Sequence, residues 1–141
     1  MSGMDIQYIR LQSGEQLPSM EGFSPFKAIV VVDGPVERDW QRAASEWLAK
    51  SGCLYMLAHG RDCSSWDDSV DWANIEQFGF GEIPDDNFIV TTWHENESLP
   101  DVVEFAEVAA FHPTVEIEKL LFFHIGNVDR EDEIRKLFDK V

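Results

Sequence analysis

The distribution of hydrophobic and polar residues along the chain predicts four buried β-strands separated by helices. Four short apolar runs cover residues 27–32, 53–58, 88–93 and 119–123. None of the four runs alternates polar with apolar residues, which is typical of strands that are covered on both faces. A turn signal and an amphipathic segment follow each run, so the order indicates a parallel sheet between two helix layers.

The segments between and after the runs predict four helices. In residues 36–50 the apolar residues recur at the spacing of one helix face, and Gly52 follows as a left-handed C-cap. Ser98 is predicted to cap the third helix and Asp129 the fourth. The apolar face of the fourth helix is formed by Ile134, Leu137, Phe138 and Val141. The second helix, over about residues 66–78, has apolar residues on more than one face, so we expect it to be short or broken.

This alternation predicts an α/β fold, a three-layer α/β/α sandwich with a mainly parallel four-stranded sheet. Numbering the runs in chain order, the strand order that fits best is 2-1-3-4, as in a small flavodoxin-like or Rossmann-like domain. Residues 1–25 stand outside the repeat and form an N-terminal arm, in which residues 6–11 could add an edge strand. Residues 26–141 are then a single α/β domain.

The net charge and the cysteine count limit the kinds of partner and the cellular compartment that we expect for this chain. The chain has 141 residues, with 11 Lys and Arg against 27 Asp and Glu, so its formal net charge is −16. A charge this negative excludes a nucleic-acid binder and opposes an anionic membrane surface. Two cysteines are too few for a disulfide scaffold, and the N-terminus lacks the pattern of an export signal. A cytoplasmic protein is therefore expected, and the sequence leaves a homo-oligomer open.

One polar residue follows or ends each predicted strand, namely Asp33, His59, His94 and His124. The carboxyl ends of parallel strands meet at one edge of a sheet, so we expect these side chains to converge there. Imidazole and carboxylate suit a divalent metal, for which Asp62 is a further candidate ligand. No HExxH or paired-cysteine spacing supports such a site. No other cofactor is predicted.

A thiol site is the second chemistry this edge could carry. Cys63 would be the catalytic nucleophile and His59 or His94 its base. The many carboxylates in the same loop oppose a thiolate. The alternative is structural: strand-end histidines hydrogen-bond to loop backbone, and Cys53 and Cys63 pack as small buried hydrophobic residues.

Phosphate-bearing ligands are disfavoured. The turn after the first run carries one glycine, Gly34, where a dinucleotide site needs GxGxxG, and Glu37 and Asp39 there oppose an anion. The sequence also contains no GxxxxGK[ST] motif.

Residues 59–73 combine two tryptophans with four aspartates, an unusual composition. Together with residues 91–95 and 110–114, this segment resembles an uncharacterised family of small bacterial α/β domains. The resemblance spans most of residues 26–125 and implies no established activity.

Tryptophans and acids together indicate an interaction surface. The candidate partner-binding residues are Trp66, Asp67, Asp68, Asp71, Trp72 and Trp93. Exposed aromatic anchors with an acidic rim would suit a basic protein partner. In the opposite interpretation, the tryptophans pack in the core and the acids form a solvated face.

We therefore expect an acidic interaction module that binds a basic partner. By analogy with small acidic proteins that neutralise basic toxin nucleases, it could be of the immunity or defence type. The alternative is a small metal- or thiol-dependent enzyme with its site at the carboxyl edge of the sheet.

Overall fold

The computed structural model describes residues 4–138 and contains one five-stranded sheet. Its strands are β1 (Asp5–Leu11), β2 (Phe26–Val32), β3 (Cys53–Gly60), β4 (Val90–Trp93) and β5 (Lys119–Ile125). All neighbouring strands are parallel, and their order across the sheet is β1-β5-β2-β3-β4. The predicted α/β class and parallel sheet are confirmed.

Four α-helices within residues 4–138 cover the sheet. They are α1 (Arg38–Ser51), α2 (Ser64–Gln77), α3 (Leu99–Val108) and α4 (Glu131–Phe138). Apolar residues of α1 and α2 form one hydrophobic cluster with the sheet, and those of α3 and α4 form a second cluster. None of these helices is long and apolar enough to cross a membrane.

The predicted strand number and order are wrong. The last strand, β5, lies between β1 and β2 rather than beyond β4, and β4 forms an edge of the sheet. The reason is burial: six of the seven residues of β5 are buried, whereas the four residues of β4 are half-buried or exposed. An apolar strand such as β5 needs a neighbour on both sides and a helix layer on both faces.

The N-terminal segment belongs to the same sheet. The predicted edge strand is confirmed, because β1 pairs with β5 from Asp5 to Leu11 and lies at the other edge. Met20 and Phe23, in the loop that follows, pack into the cluster beneath α1 and α2. Residues 4–25 therefore contribute to the core.

Helix α2 is continuous over 14 residues, so the expectation of a short or broken helix is wrong. Its buried stripe is Trp66, Val70 and Ala73, at the spacing of one helix face, while Trp72 points to solvent. The mixed pattern arose from that exposed tryptophan. In α4 the predicted residues Ile134 and Phe138 are buried; Val141 lies outside the described residues.

Candidate functional site

A cleft opens where the sheet connections change direction. From β2 the chain leads to α1 on one face, and from the adjacent β5 it leads to α4 on the opposite face. Open α/β sheets bind ligands in the crevice between two such strands. The cleft at this position has a volume of about 680 Å³ and is lined by the loops after β1, β2 and β5.

Asp33, at the end of β2, is fixed beside the cleft by a closed ring of hydrogen bonds. Its Oδ2 accepts from His124 Nε2 at 2.6 Å and from an Arg130 guanidinium nitrogen at 2.8 Å. The Tyr8 hydroxyl lies 2.7 Å from His124 Nδ1 and accepts from the Arg130 backbone N–H at 3.1 Å. Because a carboxylate only accepts, His124 Nε2 carries the hydrogen of the bond to Asp33.

Burial alone would raise the pKa of Asp33, but the hydrogen bonds from Arg130 and His124 outweigh it and hold the pKa below its usual value. Burial likewise raises the pKa of Tyr8. Gly126 lets these groups approach each other, because a Cβ there would lie 3.2 Å from Asp33 Cβ and from His124 Nε2. Asp33 is thus an ionised carboxylate in a fixed orientation.

The lowered pKa of Asp33 predicts an acid-dependent loss of stability that Asp33→Asn removes. A carboxylate whose folded pKa is depressed stabilises the fold above its unfolded pKa of about 3.9, and this stabilisation disappears as the pH falls through the folded pKa. The measurement is urea unfolding at pH values from about 6 down to about 3. The difference in the free energy of unfolding between the native protein and Asp33→Asn should shrink as the pH falls. Asp39→Asn, in the exposed first turn of α1, is the control. A difference that stays constant with pH would contradict the assignment.

The other two predicted histidines form a separate group. His94 is buried, with Nδ1 3.1 Å from Glu97 Oε2, Nε2 2.9 Å from Thr92 Oγ1, and its ring against Phe105 of α3. His59 Nε2 lies 2.8 Å from the Glu97 carbonyl oxygen. Its Nδ1 is buried and has no hydrogen-bond partner within residues 4–138. Glu97, which sequence reasoning missed, therefore joins His59 to His94.

Strand register explains why the predicted cluster divides. Val31 of β2 pairs with His124 on one side and with His59 on the other. Since adjacent strands are about 4.8 Å apart, two intervening spacings separate those histidines by about 10 Å. Within the described range, no group of three or more His, Cys, Asp or Glu residues is arranged to hold a metal ion. The structure therefore pairs Asp33 with His124 and His59 with His94, but does not bring all four together.

Cys63 lies in the layer opposite the imidazoles. It is buried among the residues beneath α1 and α2, whereas the His94 ring packs on α3. Burial raises the pKa of the Cys63 thiol, although a backbone hydrogen bond from His94 opposes it. Burial also raises the pKa of Cys53 to about 12. The predicted combination of Cys63 with His59 or His94 as base is not assembled.

We expect both thiols to be unreactive in the folded protein. Iodoacetamide attacks the thiolate, and burial disfavours that form at Cys53 and Cys63. Mass spectrometry should show alkylation much slower than that of free cysteine, and fast alkylation of both residues in urea. Rapid labelling of Cys63 in the native state would instead identify a reactive site.

The predicted partner-binding residues separate by exposure. Trp66 is 1% exposed and its ring contacts that of Phe123, so its assignment to a partner surface is wrong. Its position in the helix turns it toward the sheet, one turn before Val70. Trp72 and Trp93 are 57% and 49% exposed. Asp68 is exposed, Asp67 and Asp71 are half-buried, and Asp71 accepts a hydrogen bond from Thr91 of β4.

Residues 62–118 carry nearly all of the net charge. This segment contains 15 of the 27 Asp and Glu residues and none of the 11 Lys and Arg residues, which gives it a formal charge of −15. It comprises α2, β4, α3 and their connections, and it runs from the β4 edge of the sheet to Glu118, whose carbonyl accepts from the Asp5 N–H of β1. We call this segment the acidic pole. The sequence itself carries this signal, and the predicted partner surface used only its first part, around residues 62–71.

Exposed aromatic residues occupy the same segment. Of the seven exposed large hydrophobic residues in the described chain, six lie within residues 62–118. They are Trp72, Phe80, Phe88, Trp93, Val108 and Phe111. The Trp72 and Phe80 rings contact each other edge to face, with centroids 6.2 Å apart. Both the charge and the exposed apolar groups therefore belong to the acidic pole.

These features define a parallel α/β/α protein with a ligand-sized cleft at its switch point and an acidic segment that carries exposed aromatic residues. The chain belongs to the family described as Domain of unknown function (DUF7684), whose model matches residues 6–141. Membership of an uncharacterised family is thus confirmed. Comparison with curated proteins and with solved structures finds no match.

Proposed function

We propose that this chain is an interaction module that binds a basic protein through the acidic pole. The observation that carries the proposal is the coincidence of two properties in residues 62–118: a formal charge of −15 and six of the seven exposed large hydrophobic side chains. Either property alone is common on protein surfaces. Together they have the composition of a binding surface with aromatic anchors and a charged rim.

The acids of helix α2 are not paired with cations of the same helix. Helix α2 carries Asp67, Asp68, Asp71 and Glu76 but no Lys or Arg. Across the groove between α1 and α2, Arg42 lies near Glu76 at 3.7 Å, but it also pairs with Glu46. Burial, together with the nearby Asp67 and Asp68, raises the pKa of Asp71, although the Thr91 hydrogen bond opposes the rise. Lys and Arg side chains of a partner would relieve this repulsion.

The aromatic groups are placed to act as anchors. Trp72 projects from α2 and contacts Phe80, and Trp93 ends the edge strand β4. The hydrogen bond from Thr91 to Asp71 fixes α2 against β4, so the two tryptophans belong to one rigid part of the fold. Exposed tryptophans on a rigid scaffold lose little conformational entropy on binding, which favours their use as hot spots.

The immunity-type role predicted from the sequence is a specific form of this proposal. In that form, the acidic pole would cover the basic active surface of a toxin and inhibit it in a one-to-one complex. The test is whether a captured basic partner is itself a toxin or nuclease whose activity falls when the complex forms. If the captured partner had a different activity, the immunity role would be contradicted, while the general proposal of an interaction module would stand.

Salt and charge variants test the proposal directly. The protein, immobilised and exposed to an extract of the cells that express it, should retain a basic partner at low ionic strength and release it as salt rises. With the partner purified, Asp67→Asn combined with Asp68→Asn should slow association and weaken binding. Asp132→Asn combined with Glu133→Gln, in the first turn of α4 and outside residues 62–118, is the matched control.

Equal weakening by the two pairs of substitutions would mean that only the total charge matters. Binding that does not change with salt would contradict the electrostatic basis of the proposal. An acidic partner would contradict it as well.

A metal- or thiol-dependent enzyme, the second function predicted from the sequence, has less support. Cys63 is buried in the cluster beneath α1 and α2, whereas the His94 ring packs on α3, and residues 4–138 contain no three-ligand group. The ionised Asp33 beside its cleft is the observation that favours chemistry at this edge. Metal analysis of the purified protein would support the enzyme if a stoichiometric transition metal were lost in His94→Ala.

A further inference from the structure

The cleft at the switch point lies outside the acidic pole, since its walls come from residues 12–13, 33–37 and 125–127. Its charged lining side chains are two carboxylates, Asp33 and Glu37, and no Lys, Arg or His is among the described residues that line it. The remaining polar side chains are Gln12, Ser13 and Asn127. The cleft therefore combines negative charge with neutral hydrogen-bonding groups.

The ring of hydrogen bonds occupies one carboxylate oxygen of Asp33 and leaves the other available to a ligand. His124 and Arg130 both donate to Oδ2, and no residue of the described chain donates to Oδ1. Arg130 is further engaged by Glu133 at 2.6 Å, so its charge is shared between two carboxylates. His124 is fully buried behind Asp33. His124, Arg130 and Tyr8 are thus positioning residues, and Asp33 is the group that a ligand would meet.

Glu37 adds a second carboxylate without a described cationic partner. It precedes the first turn of α1 and its side chain does not cap the helix. The Glu37 backbone N–H donates a hydrogen bond to Ser13 Oγ at 2.9 Å, and this bond fixes the loop after β1 against the start of α1. Both walls of the cleft are therefore held in place before any ligand arrives.

We propose that this cleft binds a small organic cation whose ammonium or guanidinium group is held by Asp33 and Glu37. Anions are disfavoured by both carboxylates. A primary ammonium or a guanidinium supplies several donors and no acceptor, which matches a pair of carboxylates. The amides of Gln12 and Asn127 can bind polar groups on the rest of the molecule. A volume of about 680 Å³ is in the range of small-molecule sites.

Calorimetric titration with agmatine and putrescine tests this inference on the full chain. Each cation should bind with one-to-one stoichiometry, and neutral 1,4-butanediol should not bind. Asp33→Asn should weaken binding at least about tenfold, because it removes a charge-assisted hydrogen bond. Asp39→Asn removes the same charge from the first turn of α1, outside the cleft, and should change affinity less than about twofold.

A second variant protects the test from a folding defect in Asp33→Asn. A Cβ at Gly34 would have the Gly126 Cα, at 3.9 Å, as its nearest neighbour, so a side chain can begin there without a clash. Gly34→Leu should therefore fill part of the cleft and abolish cation binding while every charge remains. Circular dichroism of both variants checks the fold.

Two results would overturn the proposal. The first is that neither agmatine nor putrescine binds the native chain. This result would overturn the proposal even if a Lys- or Arg-containing peptide bound. The second is full retention of binding in both Asp33→Asn and Gly34→Leu, which would mean that the cations gather on other acidic surfaces. Neither result bears on the acidic pole, whose partner is tested with different residues.

Discussion

Truncation of Phe123 to alanine should lower the free energy of unfolding by about 3–5 kcal/mol. Phe123 is fully buried in β5, and its ring contacts three tryptophan rings. They are Trp40, Trp47 and Trp66, with centroids 6.2, 5.2 and 6.4 Å away. The substitution would leave a cavity among large rigid rings that cannot easily close around it. A loss of this size is a large fraction of the roughly 5–15 kcal/mol that stabilises an ordinary domain.

Urea unfolding followed by circular dichroism measures this effect. Phe111→Ala is the matched control, because Phe111 is 69% exposed and its removal should change the free energy of unfolding by less than about 0.5 kcal/mol. If Phe123→Ala were no more destabilising than Phe111→Ala, the central position of β5 in the sheet would be contradicted.

Removal of the exposed tryptophans should produce the largest loss of partner binding. Trp72→Ala and Trp93→Ala should each weaken binding by about 2 kcal/mol, or about 30-fold, if they are the anchors of the acidic pole. Neither side chain belongs to the hydrophobic clusters of the core, so stability should change little. Titration calorimetry with the purified basic partner gives the affinities.

The control for both tryptophans is Val128→Ala. Val128 is 63% exposed but follows β5, outside the acidic pole. The Val128→Ala variant should bind the partner with the same affinity as the native protein. Native affinity in both tryptophan variants would remove the aromatic part of the proposal, and equal weakening by Val128→Ala would show that the contact surface is elsewhere.

Element types could be predicted from the sequence because they depend on local pattern. Runs of buried apolar residues identified the strands, and helical spacing identified α1, α3 and α4. Strand order could not be predicted in the same way, because it depends on which strand needs cover on both sides. The pair Thr91-Thr92 in β4, against the uninterrupted Leu120 to Phe123 of β5, was the available signal for edge and centre.

The candidate sites show the same limit. The carboxyl ends of β2 and β5 correctly suggested that Asp33 and His124 could meet, but their partners come from distant parts of the chain. Tyr8 reaches His124 because β1 pairs with β5, a contact across 116 residues that no local pattern encodes. Trp66 and Trp72 are both tryptophans of helix α2, and the side of the helix that faces the sheet decides which of them is buried.

The most direct test of the central claim is a map of the partner contact on this chain. Amide chemical shifts of the ¹⁵N-labelled protein, recorded with and without the purified basic partner, report which residues meet it. We expect the changes to be concentrated in residues 62–118, above all around Trp72 and Trp93. Changes concentrated instead in β1 and α4, outside that segment, would contradict the proposed interaction surface.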